Sequence, residues 1–182
     1  ECASDTAYGR ECYKTQLELI KSLDVTRPRS FSSCRFKTDI CFDLVDVVSY
    51  NIYPKWYHNT PVAMYLDDLY KWVQTTGGAG KPFLITEVGA GAIYGYRTPA
   101  KVKWSEEYQV LALEEQLGAI LSYKDCSGVY IWQFCDVRVT NDWWNTRPRT
   151  MNNKGIVDEY RRPKLSYETV KRIFGSVDTY RK

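Results

Sequence analysis

Apolar positions recur along this chain in two rhythms. Over residues 10–23, Tyr13, Leu17 and Ile20 fall at helical spacing, and the segment stops at Asp24 with Pro28 beyond it, which predicts an amphipathic helix. Val62, Leu66, Leu69 and Val73 mark the buried stripe of a second helix that Pro61 opens and Gly77-Gly78-Ala79-Gly80 closes. A third starts at Ser105 as N-cap, with Glu106 and Glu107 in its first turn, where carboxylates suit the helix dipole and have capping and surface roles. Its inward face is Val110, Leu113, Leu117, Ile120 and Leu121. A closing helix runs from Pro163, with Tyr167, Val170, Ile173 and Phe174 buried.

Between these helices lie short β-branched and aromatic runs: a strand candidate at 29–34, then strands at 44–50, at 82–88 and at 128–134. Runs this short, bounded by Pro or Gly, fit strands covered on both faces, as in a parallel sheet. The order of strands and helices is that of βα units, so the chain reads as an α/β protein and a single domain over residues 1–182. Four strands are half of what a closed eight-stranded barrel needs. Two long loops follow the third and fourth strands, the second of them over 135–155. Loops of that length are uncommon unless they are functional.

The third strand delivers one carboxylate, Glu87, toward a glycine-rich exit, Gly89-Ala90-Gly91. In α/β barrels and open sheets chemistry is done at the C-terminal ends of the strands. The strand pattern alone leaves Glu87 open between a rim salt bridge and an active-site group. The second strand ends in Asn51-Ile52-Tyr53-Pro54-Lys55-Trp56-Tyr57, so an Asn and three aromatics leave that end together.

Composition narrows the classes. The 25 basic and 22 acidic residues give a net charge of only +3, which excludes an electrostatic nucleic-acid surface. The 15 Tyr and 6 Trp, many in predicted loops, suit stacking on flat apolar ligand faces such as those of sugars. Six Cys without metal-ligand spacing, and a single His58, predict no metal and no cofactor. The thiols read as reduced and the protein as cytoplasmic, and no apolar stretch approaches the ~20 residues of a membrane span.

Four segments carry a resemblance: Ile85-Thr86-Glu87-Val88-Gly89-Ala90, Trp104-Ser105-Glu106-Glu107-Tyr108-Gln109, Trp132-Gln133-Phe134-Cys135-Asp136 and Arg147-Pro148-Arg149-Thr150-Met151-Asn152-Asn153-Lys154-Gly155. In this order they resemble the catalytic TIM barrel of glycoside hydrolase family 2, the β-glucuronidase and β-galactosidase group. The resemblance implies part of a (β/α)8 barrel, roughly strands five to eight with their helices. It implies a retaining β-glycosidase with Glu87 as nucleophile. The acid/base of the family precedes a segment similar to 2–29, so its match here is Glu1.

Two carboxyl groups about 5–5.5 Å apart, one ionised and one protonated, are what retaining glycoside hydrolysis requires. Asn51 and Tyr53 would supply donors to the Glu87 carboxylate. Trp132 is either a floor for the sugar ring or a core tryptophan, Trp56 and Tyr57 are similarly placed, and Asp136 either supports the site from behind or forms a loop salt bridge. The resemblance also implies that Asn152 and Lys154 hold a sugar carboxylate, since an amide and an ammonium one residue apart discriminate against a neutral hexose. The other reading of Lys154 is a solvated lysine, and Arg147 and Arg149 fit either. The expected activity is thus β-glucuronidase-like hydrolysis of a carbohydrate substrate. The rivals are a β-galactosidase-like enzyme on neutral sugars and an inactive carbohydrate-binding or assembly fragment, whose partner would be a missing N-terminal half or a second copy in a homo-oligomer.

Overall fold

In the computed structural model, which describes residues 3–177, four parallel strands form one sheet with helices between them. Helix α1 (Ala7–Leu23) leads to β1 (Ser32–Ser33) and β2 (Val48–Asn51). Then follow α2 (Val62–Thr75), β3 (Phe83–Val88), α3 (Glu106–Ser122), β4 (Cys126–Ile131) and α4 (Leu165–Gly175). The sheet order is β1-β2-β3-β4, every pair parallel. Sequential strands that lie side by side and run the same way, each joined by a helix or long crossover, match the predicted βα architecture.

Most of the core is the predicted one, although Ile20 on the stripe of α1 is 49% exposed. Tyr50, Phe83, Ile85 and Val88 from the sheet pack with Leu66, Leu69 and Val73 of α2 and Leu113, Leu117 and Ile120 of α3, all at 1% exposure or less. Each such aliphatic side chain contributes roughly 1.5–3 kcal/mol on removal from water. All four residues of β2 are buried, polar Ser49 and Asn51 included, as befits a strand covered on both faces.

Several boundaries differ from the sequence reading. Helix α1 begins at Ala7 because Thr6 caps it, its hydroxyl accepting the Gly9 N–H at 3.0 Å. Strand β2 begins at Val48, because Phe42–Leu44 is a 3-10 turn and the Asp46 and Val47 N–H groups go to the Arg29 carbonyl. Strand β4 starts at Cys126, opposite Phe83, and ends at Ile131. The closing helix buries Val170, but Phe174 is 39% exposed and faces solvent, not the core. The long loop at 135–155 is not structureless. It holds an antiparallel ribbon, β5 (Val137–Arg138) with β6 (Met151–Asn152), around 3-10 turns at Asn141–Thr146 and Pro148–Thr150.

Among the described residues no helix is long and apolar enough to cross a membrane, and no group of three or more His, Cys, Asp or Glu side chains could hold a metal. Cys12, Cys34, Cys41, Cys126 and Cys135 are free thiols.

Candidate active site

The C-terminal ends of all four parallel strands open onto one cleft of about 570 Å³. Cys34 follows β1, Asn51 closes β2, Glu87 is the penultimate residue of β3 and Trp132 follows β4, and all four line it. The ladder places Asn51 opposite Glu87, and the Ile52 N–H donates to the Glu87 carbonyl at 2.9 Å. Thr86 donates to Asn51 Oδ1 at 2.8 Å, which fixes how the amide faces the cleft.

Glu87 receives a hydrogen bond on Oε2 from the Tyr53 hydroxyl. A donor of this kind favours the ionised carboxylate. The Tyr53 ring stands edge-on to Tyr57, with centroids 5.3 Å apart. Lys154 is only 4% exposed, yet it points into this aromatic group. Its ammonium lies 5.0 Å from the Tyr53 ring, 5.1 Å from Tyr57 and 5.7 Å from Trp56, and donates to the Tyr57 hydroxyl at 3.0 Å.

Desolvation pulls the Lys154 pKa below the ordinary lysine value, with the Tyr57 hydrogen bond and the Glu87 charge opposing it. Burial pushes the Tyr57 phenol up, but Lys154 and Arg147 together outweigh that and leave it below the ordinary tyrosine value. Two cations thus converge on one phenol beside Asn152, and Glu87 stands in the same cleft. The arrangement gives the cleft a cationic side and a carboxylate side. Lys154 is therefore no solvated loop lysine.

Of the residues expected to bind substrate, Asn51, Tyr53, Tyr57, Trp132, Asn152 and Lys154 all line the cleft. Trp132 is 38% exposed and is not a core tryptophan. Trp56 is the correction: at 3% exposure it packs behind the cleft, edge-on to Trp104 at 4.8 Å, and meets the site from behind through Lys154 and the Tyr57 ring. Its indole is drawn inward because the glycine exit leaves room. A Cβ on Gly91 would come within 2.9 Å of the Trp56 ring, and one on Gly89 within 2.4 Å of the Trp132 carbonyl oxygen. Glu1, the expected acid/base, lies outside the described residues.

Glu106 is a second correction. It is completely buried, accepting the Gly95 and Leu165 N–H groups at 2.7 and 2.6 Å and pairing with Arg97 at 3.1 Å. It caps no surface; it ties the loop after β3 to the start of α4. Asp136 is the buried salt-bridge partner of Lys164, at 2.8 Å.

Cys34, His58, Tyr65 and Arg147 also line the cleft, and the first three gave no signal in the sequence. Gln109 and Gln116 were not singled out either, though amides seven apart on the apolar stripe of α3 are a signal that could have found them. Gln109 donates to the carbonyls of Ala90 and Gly155 at 2.8 and 3.0 Å, and Gln116 to that of Pro54 at 2.6 Å. They hold from below the loops that carry the site.

Known proteins share this fold. Residues 2–179 match the family model described as "Glycosyl hydrolases family 2, TIM barrel domain". The β-glucuronidase of Rattus norvegicus is 34% identical over 166 residues, which is 85% of this chain and 24% of that protein. The crystal structure of a GH2 β-galacturonidase from Eisenbergiella tayi bound to galacturonate superposes with a TM-score of 0.96 at 73% identity, covering 97% of this chain and 32% of that one. A β-glucuronidase from Ruminococcus gnavus in complex with D-glucuronic acid gives 0.81 at 25% identity, over 94% of this chain and 31% of its own. The chain thus spans about a quarter of the length of its curated relatives and about a third of the solved ones. The four-stranded parallel sheet is part of a TIM barrel, and the chain belongs to glycoside hydrolase family 2.

Proposed function

We propose that this chain forms the nucleophile-bearing part of a retaining β-glycosidase that hydrolyses β-linked hexuronides, with a β-galacturonide as substrate. The observation that carries the reading is the buried Lys154 ammonium, held by Tyr57 in the same cleft as Glu87. A buried cation without an anion is costly, and a uronate carboxylate is the anion that a sugar can bring. A neutral β-galactoside would leave that charge unmatched.

In the mechanism, Glu87 attacks the anomeric carbon as the leaving oxygen takes a proton from the acid/base, for which Glu1 is the candidate. The covalent glycosyl-enzyme is then hydrolysed by water that the same acid/base deprotonates. Tyr53 holds the Glu87 carboxylate in place, Asn51 bonds sugar hydroxyls, Trp132 offers a face to the ring, and Asn152, Lys154 and Tyr57 hold the sugar carboxylate. The galacturonide is favoured by the 73% identity to a protein described as a β-galacturonidase. The glucuronide is the second reading, favoured by the relatives named β-glucuronidase. The two sugars differ in one hydroxyl orientation, at C4. The rest of the barrel would come from the preceding half of the same enzyme.

The test uses the full-length enzyme with aryl β-galacturonide, β-glucuronide and β-galactoside, and NMR to identify the first-formed anomer. The expected result is galacturonide hydrolysis that releases the β-anomer first, with kcat reduced by several orders of magnitude in Glu87→Gln. First release of the α-anomer, or a Glu87→Gln variant with near-normal turnover, refutes the retaining assignment. A preference for the neutral galactoside refutes the uronide one.

A further inference from the structure

Lys164 lies at the start of α4, outside the cleft, and its side chain is as fully buried as that of its partner Asp136, both at 0% exposure. Its ammonium donates to the Ala92 carbonyl at 2.6 Å, to Asp136 Oδ1 at 2.8 Å and to the Asn153 carbonyl at 3.1 Å. Three N–H donors thus meet three acceptors, the full capacity of the group. Asp136 Oδ1 also accepts the Gly155 N–H at 2.9 Å. The Ala92 N–H returns to the Asn153 carbonyl at 2.8 Å, and Asn153 Nδ2 donates to the carbonyls of Pro148 and Met151, both at 2.9 Å.

These bonds have a common geometry. Asn153 is the residue between Asn152 and Lys154, and Gly155 is the residue after them. Ala92 lies in the loop that leaves β3, five residues beyond Glu87. One buried ion pair therefore joins the backbone of the turn that presents Asn152 and Lys154 to the backbone that continues from Glu87. We propose that Lys164, with Asp136, is a positioning residue for the uronate site, setting the height of Asn152 and Lys154 over the sugar relative to the nucleophile. This rests on the uronide reading above.

Burial opposes both charges, pushing the Asp136 carboxyl up to about 6 and the Lys164 ammonium below its ordinary value. A well-packed apolar pair in the same place is often neutral or stabilising, so overall stability gives little reason to keep the ions. Placing a recognition turn to within a fraction of an ångström gives a better one, because a charge-assisted contact loses much of its strength when its partner is displaced.

The experiment is a double-mutant cycle in the full-length enzyme, with Lys164→Met made in the native and Lys154→Ala backgrounds and kcat and KM measured on aryl β-galacturonide and β-glucuronide. If Lys164 acts through the turn, Lys164→Met raises the uronide KM by about tenfold in the native background and by less than about twofold in the Lys154→Ala background, since coupled residues are non-additive. The effect on kcat is smaller than that on KM. Equal increases in both backgrounds, or a fall in kcat with KM unchanged, overturn the proposal. Where Lys164→Met melts below the assay temperature, Asp136→Asn carries the same cycle, as it keeps the amide-oxygen acceptor and removes the charge. A native enzyme without preference for uronides removes the uronide reading and this inference together. A clear preference with an additive cycle removes this inference alone.

Discussion

Lys154→Met isolates the charge at the cationic side of the cleft. Methionine keeps most of the unbranched stem, so packing against Tyr53, Trp56 and Tyr57 is largely preserved while the ammonium disappears. Two stability effects oppose each other. The variant loses the 3.0 Å bond to Tyr57 and three cation–π contacts at 5.0–5.7 Å, which are worth about 0.5–2 kcal/mol each when desolvated. It also escapes the cost of burying a charge at 4% exposure, several kcal/mol in magnitude. The melting temperature is therefore expected to move by only a few degrees.

On the uronide reading the effect on the reaction is different, because the sugar carboxylate would lose a buried, charge-assisted partner. Truncations of this kind cost about 2–4 kcal/mol, which at 1.4 kcal/mol per decade is roughly a 30- to 700-fold loss in kcat/KM for a uronide. An aryl β-galactoside, with nothing to offer the ammonium, should lose no more than a few-fold. The assay compares kcat/KM for the two substrates in the native and Lys154→Met enzymes. If both fall by the same factor, Lys154 supports the cleft without reading the carboxylate, and the uronide reasoning is refuted.

Tyr53→Phe removes the hydroxyl that donates to Glu87 Oε2 and leaves its ring in place. With a hydrogen bond to a charged group worth about 1.5–3 kcal/mol, kcat for any accepted glycoside should fall roughly 10- to 150-fold with little change in melting temperature; an unchanged kcat shows that this bond does not serve the nucleophile. The pH profile follows from Lys154, whose pKa desolvation places below the ordinary lysine value. The ammonium is present below that lowered pKa and is lost as pH rises through it, so the uronide KM should climb at alkaline pH earlier than a solvent-exposed lysine would give. Tyr57, also below its ordinary value, adds repulsion in the same direction once ionised. A uronide KM as flat as that of a neutral glycoside over this range contradicts the assignment.

The elements were legible where burial imposes a period. Leu66, Leu69 and Val73 on α2 and Leu113, Leu117 and Ile120 on α3 face one core, and their spacing says so. Boundaries were less legible because they depend on single contacts, such as the Thr6 cap or the docking of Asp46 and Val47 on Arg29. The ribbon at 137–152 was invisible because strands of two residues are too short to show alternation. In the site, the residues that leave strand ends were found as a group, since topology places such ends together. Trp56 was misplaced because the next step of the chain turns it behind the cleft, and no local pattern separates that outcome from exposure. Glu106 was misread for a similar reason: acidic residues in a first helical turn look alike whether water or another loop covers them. His58, Tyr65 and Cys34 enter through tertiary packing alone.

The seven residues from Asn51 to Tyr57 carry an evolutionary consequence. Tyr53 donates to the Glu87 carboxylate, Asn51 sits opposite Glu87 on the neighbouring strand, Tyr57 accepts from the Lys154 ammonium, and Trp56 lies beneath that ammonium from behind the cleft. On the proposed roles, bond cleavage and sugar choice would share one short stretch of backbone, and a change that reshapes it for a new sugar would disturb the reacting carboxylate as well. The ribbon at 137–152 reaches the cleft from a separate loop, so under the same proposal its contacts with a sugar could change without reshaping that stretch.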